Sequence, residues 1–234
     1  MIIAVVGHQG QVADALVARA AERGLTVQAA GRPDADLADP PSLERFLARS
    51  KPTLVINAAA YTAVDLAETE QAAAFAVNAV GPEVLARLTA ARGIPLVHIS
   101  TDYVFDGSKP TPYSETDPIH PLSVYGASKA AGEAGVRDGN SRHLILRTSW
   151  VYSAHGANFV KTMLRLGAIR DEIGVVADQM GCPTYARDFA DTLLSLAPRL
   201  ASGDADMPWG TYHLTGRGPT TWHDFAAEIF RLAA

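Results

Sequence analysis

Short apolar runs of strand length alternate along this chain with Ala-rich stretches of helix length, and that alternation restricts the folds open to it more than any other feature. The runs Ile2–Val6, Thr26–Ala30, Leu54–Ile56, Leu96–Ile99 and His143–Leu146 read as strands buried on both faces. Between them, Val12–Arg23, Ser42–Ser50, Glu70–Arg92 and Val124–Val136 are rich in good helix formers. Such a βαβα order predicts an α/β fold: a Rossmann-type, doubly wound parallel sheet with right-handed crossovers. Ligands of these sheets bind beyond the carboxyl ends of the strands, so the residues just after each strand draw attention first. Past Arg147 the pattern loosens. It predicts a helix over Asn158–Arg170, a strand over Ile173–Ala177, a helix over Ala186–Leu196 and a surface loop over Ala201–Pro208. The last predicted helix, Trp222–Leu232, is capped by Thr221 with Asp224 three residues on. Residues 1–147, with 186–216 returning to them, are expected to form a nucleotide-binding domain. Residues 148–185 and 217–234 are expected to form a small C-terminal substrate-binding lobe.

A chain of 234 residues, 48% hydrophobic and 19% charged, can bury a sizeable core, and a net charge of −5 argues against nucleic acid as the partner. The single cysteine, Cys182, has no internal disulfide partner and no Cys or His spacing of a metal site around it, which suits a reducing cytoplasm. The opening Met1–Val6 lacks a basic leader, and no apolar run approaches the length that spans a bilayer. A cytoplasmic protein with no membrane partner and no metal is expected.

Directly after the first strand, Gly7-His-Gln-Gly10-Gln-Val12-Ala13 is a glycine turn feeding a helix. Glycines there let the backbone approach a pyrophosphate, which sits at the positive end of the helix. Where a carboxylate after the second strand would bind the ribose of NAD, the chain has Gly31-Arg32, and an arginine suits the extra phosphate of NADP. Asp36 and Leu37 follow in a loop that can flank an adenine, and Asn57-Ala58-Ala59-Ala60 supplies small residues after the third strand.

The fourth strand ends in Ser100-Thr101-Asp102, which puts hydroxyls and a carboxylate at the ligand-facing edge. Tyr125 and Lys129 then fall four residues apart on one helix face. A tyrosine acting as an acid–base group near neutrality needs its pKa lowered by about 3 units, or about 4 kcal/mol. A lysine ammonium roughly 4 Å away supplies energy of that order at an effective dielectric near 20. Lys129 is therefore expected to depress the phenol of Tyr125.

The ordered set Gly7–Val12, Asn57–Asp65 with Glu68, Ser100–Gly107, Pro121–Gly126 with Lys129 and Gly132-Glu133, Arg147–Tyr152, Asn158-Phe159, Asp178-Gln179, Pro183-Thr184, Tyr212–Leu214 and Thr221-Trp222 resembles the extended short-chain dehydrogenase/reductase family along the whole chain. The resemblance implies hydride transfer from NADP(H), with NAD(H) as the alternative, to the C4 ketone of a nucleotide sugar, dTDP-6-deoxy-L-lyxo-4-hexulose, giving dTDP-L-rhamnose. It assigns Tyr125, Lys129 and Thr101 to catalysis and Asp102 and Trp150, with Thr101 and Tyr125, to the sugar nucleotide. Gly7, Gly10, Gln11, Val12, Arg32, Asp36, Leu37, Ala59, Ala60, Tyr61, Thr62, Tyr125 and Lys129 would line the cofactor. A homodimer is the candidate assembly. Some relatives carry a magnesium-binding glutamate where this chain has Ala15, so no such site is expected. Relatives also usually continue beyond the equivalent of Ala234 with residues that complete the substrate lobe, so the lobe is expected to be incomplete within these 234 residues. Two other readings stay open: a reductase of another nucleotide-linked 4-ketosugar, and a cofactor-binding regulatory subunit similar to the methionine adenosyltransferase beta subunit.

Overall fold

In the computed structural model, which describes residues 1–204 and 206–233, six parallel strands form the central sheet. They are β1 (Ile2–Val6), β2 (Thr26–Ala30), β3 (Leu54–Asn57), β4 (Leu96–Thr101), β5 (His143–Thr148) and β9 (Gly210–His213), in the order β2-β1-β3-β4-β5-β9. The Val-, Ile- and Leu-rich runs occupy the buried middle of the sheet, whereas β2 is a half-exposed edge. From β1 the chain passes outward to β2 and then back to β3 on the other side. The crevice beyond the carboxyl ends of β1 and β3 is thus the switch point at which such sheets bind ligands.

Helices cover both faces. On one, α1 (Gln11–Glu22) and α8 (Ala186–Ser202) bury Leu16, Phe189 and Leu193 against Ile3, Val5 and Leu54. On the other, α2 (Pro40–Ser50), α5 (Gly81–Ala90) and α6 (Val124–Gly139) bring Leu43, Phe46, Leu85 and Val136 onto Ala4, Val55 and Leu96. Two short helices, α3 (Val64–Ala67) and α4 (Gln71–Phe75), lead through a π-helical turn, Ala76–Val80, into α5. Residues 149–185 leave the sheet and return to it through α8 and β9. They contain β6 (Val151–Tyr152), α7 (Phe159–Gly167), β7 (Met180–Gly181) and β8 (Thr184–Tyr185), and they pack with β10 (Thr220–Thr221) and α9 (Trp222–Ala233). The paired strands there, β6 with β8 and β7 with β10, are two residues long. A separate core of Met163, Ala226 and Ile229, ringed by Phe159, Leu166, Phe225 and Phe230, holds α7 to α9. Among the described residues no helix is long and apolar enough to cross a membrane.

Three expected elements differ. The single helix over residues 70–92 is divided by the π turn, which is centred on a buried asparagine, Asn78. Residues 173–177 form no strand: Ile173 and Val175 pack on the lobe core, and the ladder falls later at Met180–Gly181. Helix α8 runs past Pro198 to Ser202, because Ala197 and Leu200 are fully buried on the sheet and offset the hydrogen bond that proline removes. The loop expected from Ala201 therefore begins at Gly203, and Ala205 lies outside the described residues.

Candidate active site

At the switch point the ends of three strands stand level. The Gly7 amide donates to Ala30 O (2.7 Å), and the Ala58 amide donates to Val6 O (2.9 Å). Gly7 has φ +115°, a conformation that side-chain-bearing residues rarely adopt, and a Cβ there would lie 3.1 Å from the Ala59 amide nitrogen. Gly10 is the N-cap of α1 with no side-chain cap, and nothing lies within 4 Å of where its Cβ would be. The first amides of a 12-residue helix thus face an open, side-chain-free cradle. That cradle fits a pyrophosphate. Val12 packs on the core and can offer only its amide. The Gln11 side chain goes elsewhere: Nε2 donates to Val151 O (3.2 Å) and Oε1 accepts from Asn158 Nδ2 (2.9 Å), tying α1 to the small lobe.

Beyond β2, Arg32 lines a cavity of about 220 Å³ with His8, Gly31, Asp34, Phe46 and Arg49. Two guanidinium groups against one carboxylate make this lining net positive. The His8 imidazole lies where a Gly31 Cβ would be, 2.1 Å from it. Asp36 and Leu37 are occupied otherwise. The Asp36 carboxylate accepts the Ala38 amide (2.9 Å), and the Leu37 side chain is buried in the core. After β3, the Ala59 amide donates to Asn57 Oδ1 (3.2 Å), and Asn57 Nδ2 meets His98 Nδ1 (3.0 Å) on β4. Tyr61 is held at its backbone by Asn78, whose Oδ1 accepts the Tyr61 amide (2.8 Å) and whose Nδ2 donates to Tyr61 O and to Ser128 Oγ (both 3.0 Å). Thr62 is exposed. Asn78 links the loop after β3 to α6, a role that sequence reasoning missed. The available signal was that Asn78 is the one polar residue between Ala72 and Val80.

Thr101, Asp102 and Tyr125 converge where β4 ends and α6 begins. The Thr101 hydroxyl accepts the Tyr103 amide (3.2 Å), which opens a 3-10 turn over Asp102–Val104, and donates to Asp102 Oδ1 (3.1 Å). Burial pushes the Asp102 carboxyl up to about 6, with the Thr101 bond opposing. Ser123 caps α6 by accepting the Gly126 amide (3.1 Å), and the Tyr103 ring stands edge-on to Tyr125 (5.5 Å, 78°). Small residues around the pair now have a reason. A Cβ on Gly126 would be 2.2 Å from Tyr103 O, and one on Gly132 would be 2.0 Å from Asn78 O. Only glycine lets α6 press this closely on the 3-10 and π turns.

Lys129 is 2% exposed, and its Nζ donates to Ile99 O (2.7 Å). Burial lowers its pKa to about 8, against the opposing charge of Glu133. Burial also pushes the Tyr125 phenol up to about 12, with Thr101 beside it offsetting part of the rise. A net depression of the phenol is therefore not what the structure holds: desolvation outweighs the favourable contacts around it, while the Lys129 ammonium donates to the Ile99 carbonyl. Trp150 follows the end of β5. It adopts φ +49°, its indole stacks on Trp222 (3.5 Å, 15°), and a Cβ on Gly181 would fall 2.4 Å from its ring.

A doubly wound parallel sheet that delivers a glycine turn, an Asn-Ala-Ala-Ala loop and a Tyr-x-x-x-Lys helix to one edge defines a short-chain dehydrogenase/reductase. A family model described as the RmlD substrate binding domain matches residues 1–234, and the chain belongs to that family. It is 48% identical over 231 residues to a dTDP-4-dehydrorhamnose reductase of Sinorhizobium fredii, covering 98% of this chain and 77% of the relative. A dTDP-4-dehydrorhamnose reductase of Clostridium acetobutylicum superposes with a TM-score of 0.93 at 39% identity over 100% of this chain and 80% of that one. One from Bacillus anthracis, solved in complex with NADP, gives 0.92 at 37% identity over 99% and 80%.

Proposed function

We propose that this protein reduces the C4 ketone of dTDP-6-deoxy-L-lyxo-4-hexulose to dTDP-L-rhamnose with NADPH. The observation that carries the reading is the convergence of Thr101, Asp102 and Tyr125, with Lys129 one turn behind, in a chain similar over nearly its whole length to reductases of dTDP-4-dehydrorhamnose. Bound at the Gly7–Val12 cradle, beside Arg32 and against Ala59, Ala60, Tyr61 and Thr62, NADPH supplies the hydride for the carbonyl carbon. Tyr125 gives its proton to the carbonyl oxygen as that oxygen becomes an alkoxide, and the resulting phenolate regains a proton from solvent. A phenol held up at about 12 stays protonated throughout the neutral range and is matched to an acceptor as basic as an alkoxide. The Thr101 hydroxyl, held by the Tyr103 amide, turns its one proton from Asp102 to hydrogen-bond the same oxygen. Lys129, cationic below about pH 8, stabilises the phenolate that proton transfer leaves behind.

Residues 1–147 with 186–216 would carry the cofactor, and 148–185 with 217–234 the sugar nucleotide, which Asp102 and Trp150 would contact. The test is stoichiometry. One NADPH oxidised per ketosugar consumed, with dTDP-L-rhamnose identified by NMR, is the expected outcome, whereas conversion of the sugar without net cofactor oxidation overturns the reading.

A further inference from the structure

Beneath Tyr125 and Lys129, a charged cluster ties three elements together. Glu133 is fully buried and Arg147 is 5% exposed. From β5, Arg147 grips the carboxylate through Nε to Oε1 (2.9 Å) and Nη2 to Oε2 (2.7 Å). Ser100 on β4 donates to Oε1 (2.6 Å), and Arg137, one turn further along α6, reaches Oε2 at 3.3 Å. The attachment points are specific. Ser100 immediately precedes Thr101, and Glu133 lies one turn beyond Lys129.

A buried ion pair is a poor source of stability, because desolvation cancels much of the attraction and apolar residues of similar volume often do as well. Helix α6 nonetheless depends on one. Its buried residues are Gly126, Ser128, Lys129, Gly132, Glu133 and Val136, so Val136 is the single large apolar side chain available to fix its rotation and slide over the sheet. Polar bonds add to the close glycine contacts of the helix: Asn78 Nδ2 donates to Ser128 Oγ, Lys129 Nζ to Ile99 O, and Ser100 and Arg147 to the Glu133 carboxylate.

We propose, resting on the reductase reading above, that Glu133 is a positioning residue which, clamped by Arg147 and Ser100, fixes Tyr125 and Lys129 relative to Thr101. Its charge has a second effect. The titratable and charged groups around the inner face of α6 are Tyr125, Glu133 and Arg137 of the helix, His98 of β4, Asp102 and Tyr103 of the 3-10 turn, and Arg147 of β5. Of these, Glu133 is the one that opposes the loss of the Lys129 proton on burial, while His98 is held neutral by its own burial and by Lys129.

Two variants test this. Glu133→Asp keeps the charge and shortens the tether, and Glu133→Leu with Arg147→Met replaces the pair by apolar side chains. Both are expected to unfold in urea near the wild-type midpoint. The first should lose roughly tenfold in kcat, with KM for NADPH within about twofold. The second should lose on the order of a hundredfold. In the second variant alone, Lys129, followed by NMR of labelled lysine and distinguished from Lys51, Lys109 and Lys161, should titrate lower by about one pH unit. Folded variants with wild-type kcat overturn the proposal. So does failure of both to fold, which would assign the cluster to stability. The lysine titration needs no substrate, and wild-type turnover in the same assay reports separately on the reductase reading.

Discussion

At the scale of single residues, the chemistry depends on burial working against charge. Lys129 titrates near 8 and Asp102 near 6, whereas Tyr125 titrates near 12, beyond the working range. The predicted profile of kcat/KM is therefore a plateau between about pH 6 and about pH 8, its basic limb belonging to Lys129 and not to the phenol. For stability, the folded pKa of Lys129 lies below the unfolded value of 10.5, so its burial costs most below about pH 8 and the cost disappears as pH rises through 10.5. Lys129→Met, without turnover, is predicted to be more stable than wild type at pH 7 by up to about 3 kcal/mol. Urea unfolding should show that difference closing toward pH 10.5. At the other end of the crevice, Arg49 joins Arg32 in the positive lining. Arg49→Ala is expected to weaken 2′-phospho-ADP-ribose binding by about tenfold in calorimetry, with ADP-ribose unaffected. The placement of Gly7, Gly10, Thr101, Tyr125 and Lys129 at strand ends and on one helix face was legible in the sequence, because it follows from local spacing. Asn78 and Glu133 were not, because each acquires meaning only from partners far away in the chain. The phenol pKa was misjudged because helical spacing shows proximity but not desolvation.

Among the elements, α6 shows how composition serves position. Gly132→Ala would drive a methyl to within 2.0 Å of Asn78 O, so a loss of about 1–3 kcal/mol in urea unfolding is expected, with weakened turnover. Gly10→Ala meets open space and sits at an unstrained φ of −92°. It should cost less than about 1 kcal/mol in stability yet weaken NADP binding, which separates a packing glycine from a ligand-facing one. The central strands were read within a residue or two, since parallel buried strands are continuous apolar runs. Elements governed by tertiary burial were not: the π turn around Asn78 and the passage of α8 through Pro198 both override local propensity.

For the whole molecule, the doubly wound sheet was legible from element order alone, whereas the layout of the lobe was obscure because its two-residue strands carry no periodicity. That lobe has its own core and is tied to the sheet domain by links that include Gln11 with Asn158 and Val151. Trp222→Ala removes the stack under Trp150 and is predicted to raise amide exchange in α7 and α9 while the central sheet keeps its protection. The chemistry of the whole molecule turns on one proton. Single-turnover reduction of dTDP-6-deoxy-L-lyxo-4-hexulose by Tyr125→Phe with saturating NADPH tests it most directly. A rate at least about a hundredfold below wild type, with NADPH affinity unchanged, is predicted, and a rate within a few-fold of wild type would contradict Tyr125 as the proton donor.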